Sequence, residues 1–107
     1  MDIKVEIYLD RMVISTESEV RTFLPKKPFS SVRLLVGDFI EAESCLRNAL
    51  REMNVLGAFS LRKPRLLIHP KERLEGGLSE IEKRILVEVG RGAGAGRVEV
   101  VVHEKAV

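Results

Sequence analysis

A cysteine and a histidine are the first side chains in this sequence that could do chemistry together. Cys45 and His69 could act as a nucleophile and its base if the fold placed them side by side. Cys45, however, lies on the apolar side of a predicted helix, where burial makes a thiol inert. We therefore predict a core cysteine and a histidine at a strand end. The spacing of Cys45 to His69 and His103 matches no zinc motif, and a single cysteine cannot form an intramolecular disulfide.

Carboxylates offer a second kind of chemistry, the binding of metal ions. Two-metal phosphoryl transfer needs carboxylates from three elements that meet at one place. Four side chains could supply two of these positions: Glu6, Asp10, Glu41 and Glu43. The third position would come from the strand that ends with Ile-His-Pro at residues 68–70, which contributes no carboxylate. The sequence therefore does not predict two-metal catalysis.

A glycine-rich stretch, GRGAGAG at residues 90–96, has the composition of a phosphate-binding loop. A phosphate cradle must precede a helix, because the N–H groups at the start of that helix face the phosphate. This stretch follows a predicted helix and precedes a predicted strand. We interpret it as a flexible linker.

Basic side chains cluster in two loops and on one helix: Lys26, Lys27, Arg62, Lys63, Arg65, Arg47 and Arg51. The net charge is only +2, and four phenylalanines and one tyrosine give little capacity for base stacking. We predict a solvated basic surface. Weak nucleic-acid binding through the basic loops is the alternative.

Size and composition predict one globular domain over residues 1–107. Hydrophobic residues make up 45% of the chain and charged residues 32%, which is typical of a soluble globular protein. Neither end carries a long apolar run of the kind found in signal peptides and membrane spans. We expect a cytoplasmic protein.

Alternating apolar residues predict strands at each end of the chain. Residues 3–9, 12–15 and 20–24 should form three antiparallel strands, the first two joined by a tight turn at Asp10 and Arg11. Residues 32–36 are expected to be an edge strand or an extended lead-in. Two later runs complete the sheet: 65–69, a central parallel strand covered on both faces, and 97–103, the last strand.

Two helices are predicted by capping residues followed by apolar residues at helical spacing. Asp38 caps a helix over about residues 39–55, with Glu41 completing a capping box, and Ser79 begins a second helix over 79–89. The predicted order is βββαβαβ. Right-handed crossovers then give an α/β fold with a mixed five-stranded sheet of order 3-2-1-4-5 and two packed helices. This is the ribonuclease H-like arrangement, shared by many phosphoryl-transfer proteins and by actin-type ATPases.

Four stretches resemble bacterial actin-like, rod-shape-determining proteins of the MreB type. Residues 36–53, VGDFIEAESCLRNALREM, resemble the family's G-V-I-A-D-F stretch and the helix after it. Residues 63–70, KPRLLIHP, resemble its P-R-V-V-I-x-V-P strand, and 79–89, SEIEKRILVEV, its T-x-V-E-R-R-A-I helix. GAGAGRVEVVVHE, residues 92–104, resembles G-A-G-A-R-E-V-Y-L-I-E-E-P. Together these stretches cover about residues 33–104 in the family's order.

The resemblance implies the first subdomain of an actin-like protein, with Asp38 as the cap where the chain enters its first long helix. The sequence departs from this family at its first turn. An actin-type ATPase has a D-x-G-T turn there, whose backbone amides approach the phosphates. Here the corresponding residues 8–12 read YLDRM and contain no glycine. The family's second phosphate loop and second lobe would lie beyond residue 107. We therefore expect half of a nucleotide cleft that binds ATP poorly, with residual nucleotide binding as a further alternative.

The expected function is that of a non-catalytic actin-like module in the cytoskeleton or in cell shape. It would bind a protein partner or a second copy of itself through an exposed sheet edge, either the third strand or the last. No catalytic, cofactor-binding or metal-binding residue is assigned, and no cofactor is expected.

Overall fold

The computed structural model describes residues 2–55 and 63–102, which form a five-stranded sheet and two helices. In chain order the elements are β1 (Asp2–Tyr8), β2 (Arg11–Ser15), β3 (Val20–Phe23), α1 (Phe39–Glu52), β4 (Arg65–Pro70), α2 (Glu80–Gly92) and β5 (Arg97–Val100). The strand order is β3-β2-β1-β4-β5. The pairs β1–β2 and β2–β3 are antiparallel, whereas β1–β4 and β4–β5 are parallel. The predicted α/β fold and its βββαβαβ topology are confirmed.

The first hairpin turns one residue earlier than predicted. Its turn residues are Leu9 and Asp10, and Arg11 already pairs with Tyr8 as the first residue of β2. Asp10 has φ +49°, in the left-handed region that aspartate tolerates better than most side chains. Asp10 therefore takes the conformation that a glycine often supplies in such a tight turn.

The core lies on one face of the sheet, here called the inner face. Its strand residues are fully buried and alternate with exposed or half-buried ones: Ile3, Val5, Ile7, Met12, Ile14, Leu66 and Ile68. Both helices cover this face, with α1 burying Leu46 and Leu50 and α2 burying Leu86 and Val89. Burial of each such side chain contributes about 1.5–3 kcal/mol.

Strand β4 lies between β1 and β5, as predicted for a central parallel strand. Its two faces are covered unequally. Leu66 and Ile68 are fully buried on the inner face, whereas Leu67, on the opposite or outer face, is only half-buried. The described helices pack beside each other on the inner face, so the predicted cover of both faces is incomplete in the described part of the chain.

Residues 32–36 form no strand, so the edge strand, one of the two predicted possibilities beside an extended lead-in, is wrong. The backbone N–H of Ser31 donates to the Leu34 carbonyl at 2.8 Å, and Leu34 N–H donates to Ser31 Oγ at 2.9 Å. These bonds close a local turn and remove backbone groups that a strand would need. Leu35 and Val36 are buried, but Val32 is 88% exposed.

Helix α1 begins at the predicted cap and ends three residues early, at Glu52. Asp38 Oδ1 accepts a hydrogen bond from Glu41 N–H at 3.2 Å. The other half of a capping box would use the Asp38 N–H, but this group donates to the Phe29 carbonyl at 2.9 Å. The cap is thus confirmed, while the reciprocal bond is replaced by a link to the preceding loop.

Helix α2 starts with the complete predicted capping box of Ser79 and Glu82 but runs to Gly92, past its expected end. Gly90 lies within the helix because α2 approaches the sheet closely there. A Cβ atom on Gly90 would stand 2.7 Å from Val98 Cγ2 and 3.3 Å from Ile68 Cδ1. The absence of a side chain at this position lets α2 pack against β4 and β5.

The remaining boundaries differ by one to three residues from the predictions. Strand β3 ends at Phe23 and β5 ends at Val100. The predicted strand end at His103 lies outside the described residues. None of the described helices is both long and apolar enough to span a membrane.

Candidate functional site

The structure separates the cysteine and histidine that sequence reasoning considered as a possible pair. Cys45 lies on the side of α1 that faces the sheet, is 6% exposed and belongs to the core. His69 is in register with Glu6 of β1, on the outer face, so the sheet lies between the two. Burial raises the pKa of the Cys45 thiol from 9.0 to about 11. The prediction of a core cysteine is confirmed.

Three of the four candidate metal-binding carboxylates, those of Glu6, Asp10 and Glu43, are engaged in separate structural contacts, and Glu41 lies on the first turn of α1. Glu6 lies 4.0 Å from Lys4 Nζ and 3.7 Å from Lys71 Nζ on the outer face. Glu43 pairs with Arg47 at 3.1 Å and packs against Gly92 of α2. Residues 2–55 and 63–102 contain no group of three or more side chains placed to hold a metal ion.

Asp10 ties the first hairpin to the loop before α1. Its Oδ1 accepts hydrogen bonds from the backbone N–H groups of Phe29 and Ser30, at 2.8 and 2.7 Å. Ser30 Oγ accepts from Asp10 N–H at 3.0 Å and donates to the Leu35 carbonyl at 2.6 Å. The resemblance places a phosphate turn at Asp10, and here that turn binds the chain's own backbone.

Phe29 anchors this loop and was missed by sequence reasoning. Its side chain is fully buried, and its carbonyl accepts from the N–H groups of Gly37 and Asp38 at 2.7 and 2.9 Å. The only sequence signal was an aromatic residue between Pro28 and two serines, a setting that reads as an exposed loop.

The glycine-rich stretch is not a phosphate cradle, because it follows α2 and precedes β5. Its interpretation as a flexible linker was wrong for its first part: residues 90–92 are the last turn of α2. Gly94, with φ +114°, then directs the chain into β5. These glycines serve helix packing and chain reversal.

The predicted basic surface divides into two parts. Arg65 on the outer face pairs with Glu99 at 2.8 Å and with Asp2 at 3.3 Å. Its pKa is raised first by the hydrogen bond with Glu99 and then by the charges of Glu99 and Asp2. Lys63 is exposed, whereas Arg62 lies outside the described residues. In the strand register Arg65 lies beside Asp2 at the start of β1, whereas Lys26 and Lys27 follow β3, whose Phe23 pairs with Met12 near the end of β1. Arg65 is therefore separated from Lys26 and Lys27 by the length of the sheet.

Lys26 and Lys27 instead line a groove of about 500 Å³ between the end of β3 and α1. We call it the β3–α1 groove. Its other lining residues come from these two elements and their junction: Phe23, Leu24, Pro25, Glu41, Ser44, Cys45, Arg47, Asn48, Arg51 and Glu52. Four cations and two carboxylates line the groove, so its lining is basic.

Part of this charge is already compensated. Arg47 donates to the Gly92 carbonyl and pairs with Glu43, which fixes α1 against the end of α2. Glu52 pairs with Arg21 of β3 at 3.4 Å. Lys26, Lys27 and Arg51 are exposed and form no ion pair within the described residues. The uncompensated charge of the groove is positive.

Strand β3 beside the groove is one edge of the sheet. Three of its four residues are exposed, and Val20 is 66% exposed. Leu24, which follows β3 at the rim of the groove, is 73% exposed. On an edge strand, alternate N–H and C=O groups point away from the sheet and can pair with another chain.

Comparison with known proteins identifies a distant relative, whose activity is not described. No protein-family model matches the chain. The chain is 35% identical over 69 residues to YjaA, an uncharacterized protein of Escherichia coli (strain K12). This match covers 61% of the chain and 54% of YjaA. The chain therefore spans about half the length of the curated relative that it matches.

Proposed function

We propose that this chain is a non-catalytic protein-binding module that engages its partner through the edge of β3 and the adjacent β3–α1 groove. The observation that carries the proposal is the open edge of β3 beside a groove with exposed apolar and cationic side chains. The resemblance to MreB-type proteins adds the context: an actin-like module without nucleotide chemistry, in the cytoskeleton or in cell shape.

Addition of a strand at β3 fits the local geometry. A partner strand would pair with the outward N–H and C=O groups of β3 and extend the sheet to six strands. Val20 and Leu24 lie along this edge and would be covered by the new strand's side chains. Backbone pairing would supply affinity, and the groove would supply selectivity.

The non-catalytic part of the proposal is supported by the state of the candidate reactive groups. Asp10 binds its own loop, Glu43 binds Arg47, and Cys45 is buried with a raised pKa. Titration calorimetry with magnesium and ATP should detect no binding. Saturable heat that disappears in Asp10→Asn would contradict this part of the proposal.

Site-specific photocrosslinking in the native host tests the binding surface. A photoreactive amino acid at Leu24, on the rim of the groove, should capture a protein, either a partner or a second copy. The same amino acid at Ile81, which is 73% exposed on α2, is the matched control and should capture little. Monomer alone at position 24, or equal products at both positions, would contradict the proposal.

The cations of the groove also favour a second candidate, weak binding of nucleic acid. Among the residues that line the groove, Phe23 is the single aromatic side chain, and the Arg21 guanidinium already lies 5.0 Å from its ring centroid. Base stacking is therefore poorly supported. Strongly salt-dependent binding of a single-stranded oligonucleotide at moderate ionic strength would favour this candidate.

A further inference from the structure

We infer that the segment bound at β3 is acidic: an extended peptide whose alternate carboxylates face the β3–α1 groove and pair with Lys26, Lys27 and Arg51. The inference rests on the proposed function, because it requires β3 to accept an added strand. It goes further by naming the chemistry of the partner.

The first support is the charge of the groove. Lys26 and Lys27 follow β3 after Leu24 and Pro25, and Arg51 lines the same groove from the last turn of α1. Glu41 and Glu52 also line the groove, but Glu52 is paired with Arg21. A segment that brings two or three carboxylates would balance the remaining cations, whereas a basic segment would be repelled.

The second support is the register of β3. Arg21 and Phe23 lie opposite Ile14 and Met12, which are buried on the inner face. Val20 and Thr22 therefore belong to the outer face. Side chains of an added strand would alternate in the same way, so every second one would lie on the inner side, where the groove is. Carboxylates at alternate positions fit this arrangement.

The third support is that three of the four β3 side chains carry no charge. Proteins often protect an exposed edge strand with lysine or another charged side chain. Arg21 is the one cation on β3, and it is directed to Glu52 and the ring of Phe23. Val20, Thr22 and Leu24 are uncharged, which leaves the edge open to a strand.

A peptide fits these features better than a nucleic acid strand. Both would place negative charge next to Lys26, Lys27 and Arg51. Only a peptide also offers N–H and C=O groups at the spacing of an edge strand. The charges of the groove would suit either a peptide or a nucleic acid strand, and the free backbone groups of β3 favour the peptide.

The test uses the whole chain and a synthetic peptide of ~10 residues in which Glu alternates with Val, long enough for one strand. Fluorescence anisotropy should show saturable binding that weakens with added salt. The backbone amide NMR signals of residues 20–24, 26, 27 and 51 should shift. A peptide with Lys in place of Glu should not bind.

Variants then separate the groove from the rest of the surface. Lys26→Glu with Lys27→Glu, and Arg51→Glu by itself, should each weaken binding of the acidic peptide at least tenfold. Lys83→Glu with Arg84→Glu on α2 makes the same charge change as the lysine pair and should change binding less than twofold. Circular dichroism melting confirms that every variant is folded.

Several outcomes would overturn the inference. They are no binding of the acidic peptide, equal losses in the groove and α2 variants, and tighter binding of a Thr–Val peptide that has no carboxylates. A single-stranded oligonucleotide that displaces the peptide and binds more tightly would overturn it in favour of nucleic acid. A protein crosslinked at position 24 without acidic-peptide binding would leave the proposed function standing and remove only the acidic partner.

Discussion

Asp10 and Ser30 exchange hydrogen bonds across nineteen intervening residues of chain. Asp10 Oδ1 accepts from the Ser30 N–H at 2.7 Å, and Ser30 Oγ accepts from the Asp10 N–H at 3.0 Å. This pair holds the loop of the buried Phe29 against the first hairpin. It also gives the turn carboxylate a structural partner within the chain.

Removal of the Asp10 carboxylate should destabilise the fold without changing partner binding. Asp10→Ala loses two hydrogen bonds from backbone N–H groups and puts alanine at φ +49°, so we expect a loss of about 2–4 kcal/mol in the free energy of unfolding. Urea unfolding measures the change. Asp10→Asn keeps an acceptor oxygen and a tolerated φ, and should cost about half as much or less. Equal stability of the alanine variant and the parent would refute the structural role.

Arg47 and Arg51 lie one turn apart on α1 but should behave differently. Arg47→Ala removes the contacts with Glu43 and the Gly92 carbonyl at the end of α2, which should cost about 1–2 kcal/mol of stability. Arg51→Ala removes no ion pair within the described residues and should change stability by at most about 0.5 kcal/mol. Thermal melts of the two variants, compared at one pH and salt concentration, check this contrast. A larger loss for Arg51→Ala would contradict the assignment of Arg51 to a binding surface.

The close approach of Gly90 to Val98 should make Gly90→Ala destabilising. Alanine favours a helix by about 1 kcal/mol over glycine, but the new Cβ would stand 2.7 Å from Val98 Cγ2. We expect a net loss of about 1–3 kcal/mol from overpacking. Val98→Ala should relieve part of it, so the double variant should lose less than the sum of the single changes. Strict additivity would show that the contact is not the cause.

Burial of Cys45 predicts both slow labelling and a pH dependence of stability. With a pKa of about 11 in place of 9.0, the folded thiol has about one hundredth of the usual thiolate fraction at pH 8. Labelling by iodoacetamide should accordingly be slow until urea unfolds the chain. Because the folded-state pKa is raised, stability relative to Cys45→Ala should be constant below pH 9 and decrease as the pH rises from 9 to 11. Rapid labelling of the folded protein would contradict the buried position.

Part of the candidate site was visible in the sequence. The expectation of an exposed edge at the third strand, and the expectation of an inert Cys45, needed only alternation and helical spacing. The β3–α1 groove was not expected, because it joins Lys26 and Lys27 to residues some twenty positions later on α1. The sequence analysis grouped these lysines with Arg65, but in the structure Arg65 forms ion pairs with Glu99 and Asp2.

The order of the elements, the caps at Asp38 and Ser79 and the inner-face residues of the strands were determined by the sequence alone, because each depends on neighbours within a few residues. Tertiary structure decided the ends of the helices, the local turn at residues 31–34, the burial of Phe29 and the partners of Asp10 and Arg47. These features depend on contacts between residues far apart in the chain, where one long-range hydrogen bond or close approach outweighs a local preference. The β3–α1 groove also depends on such long-range contacts, so sequence patterns could not predict it. Its charged side chains come together only when the sheet and α1 pack.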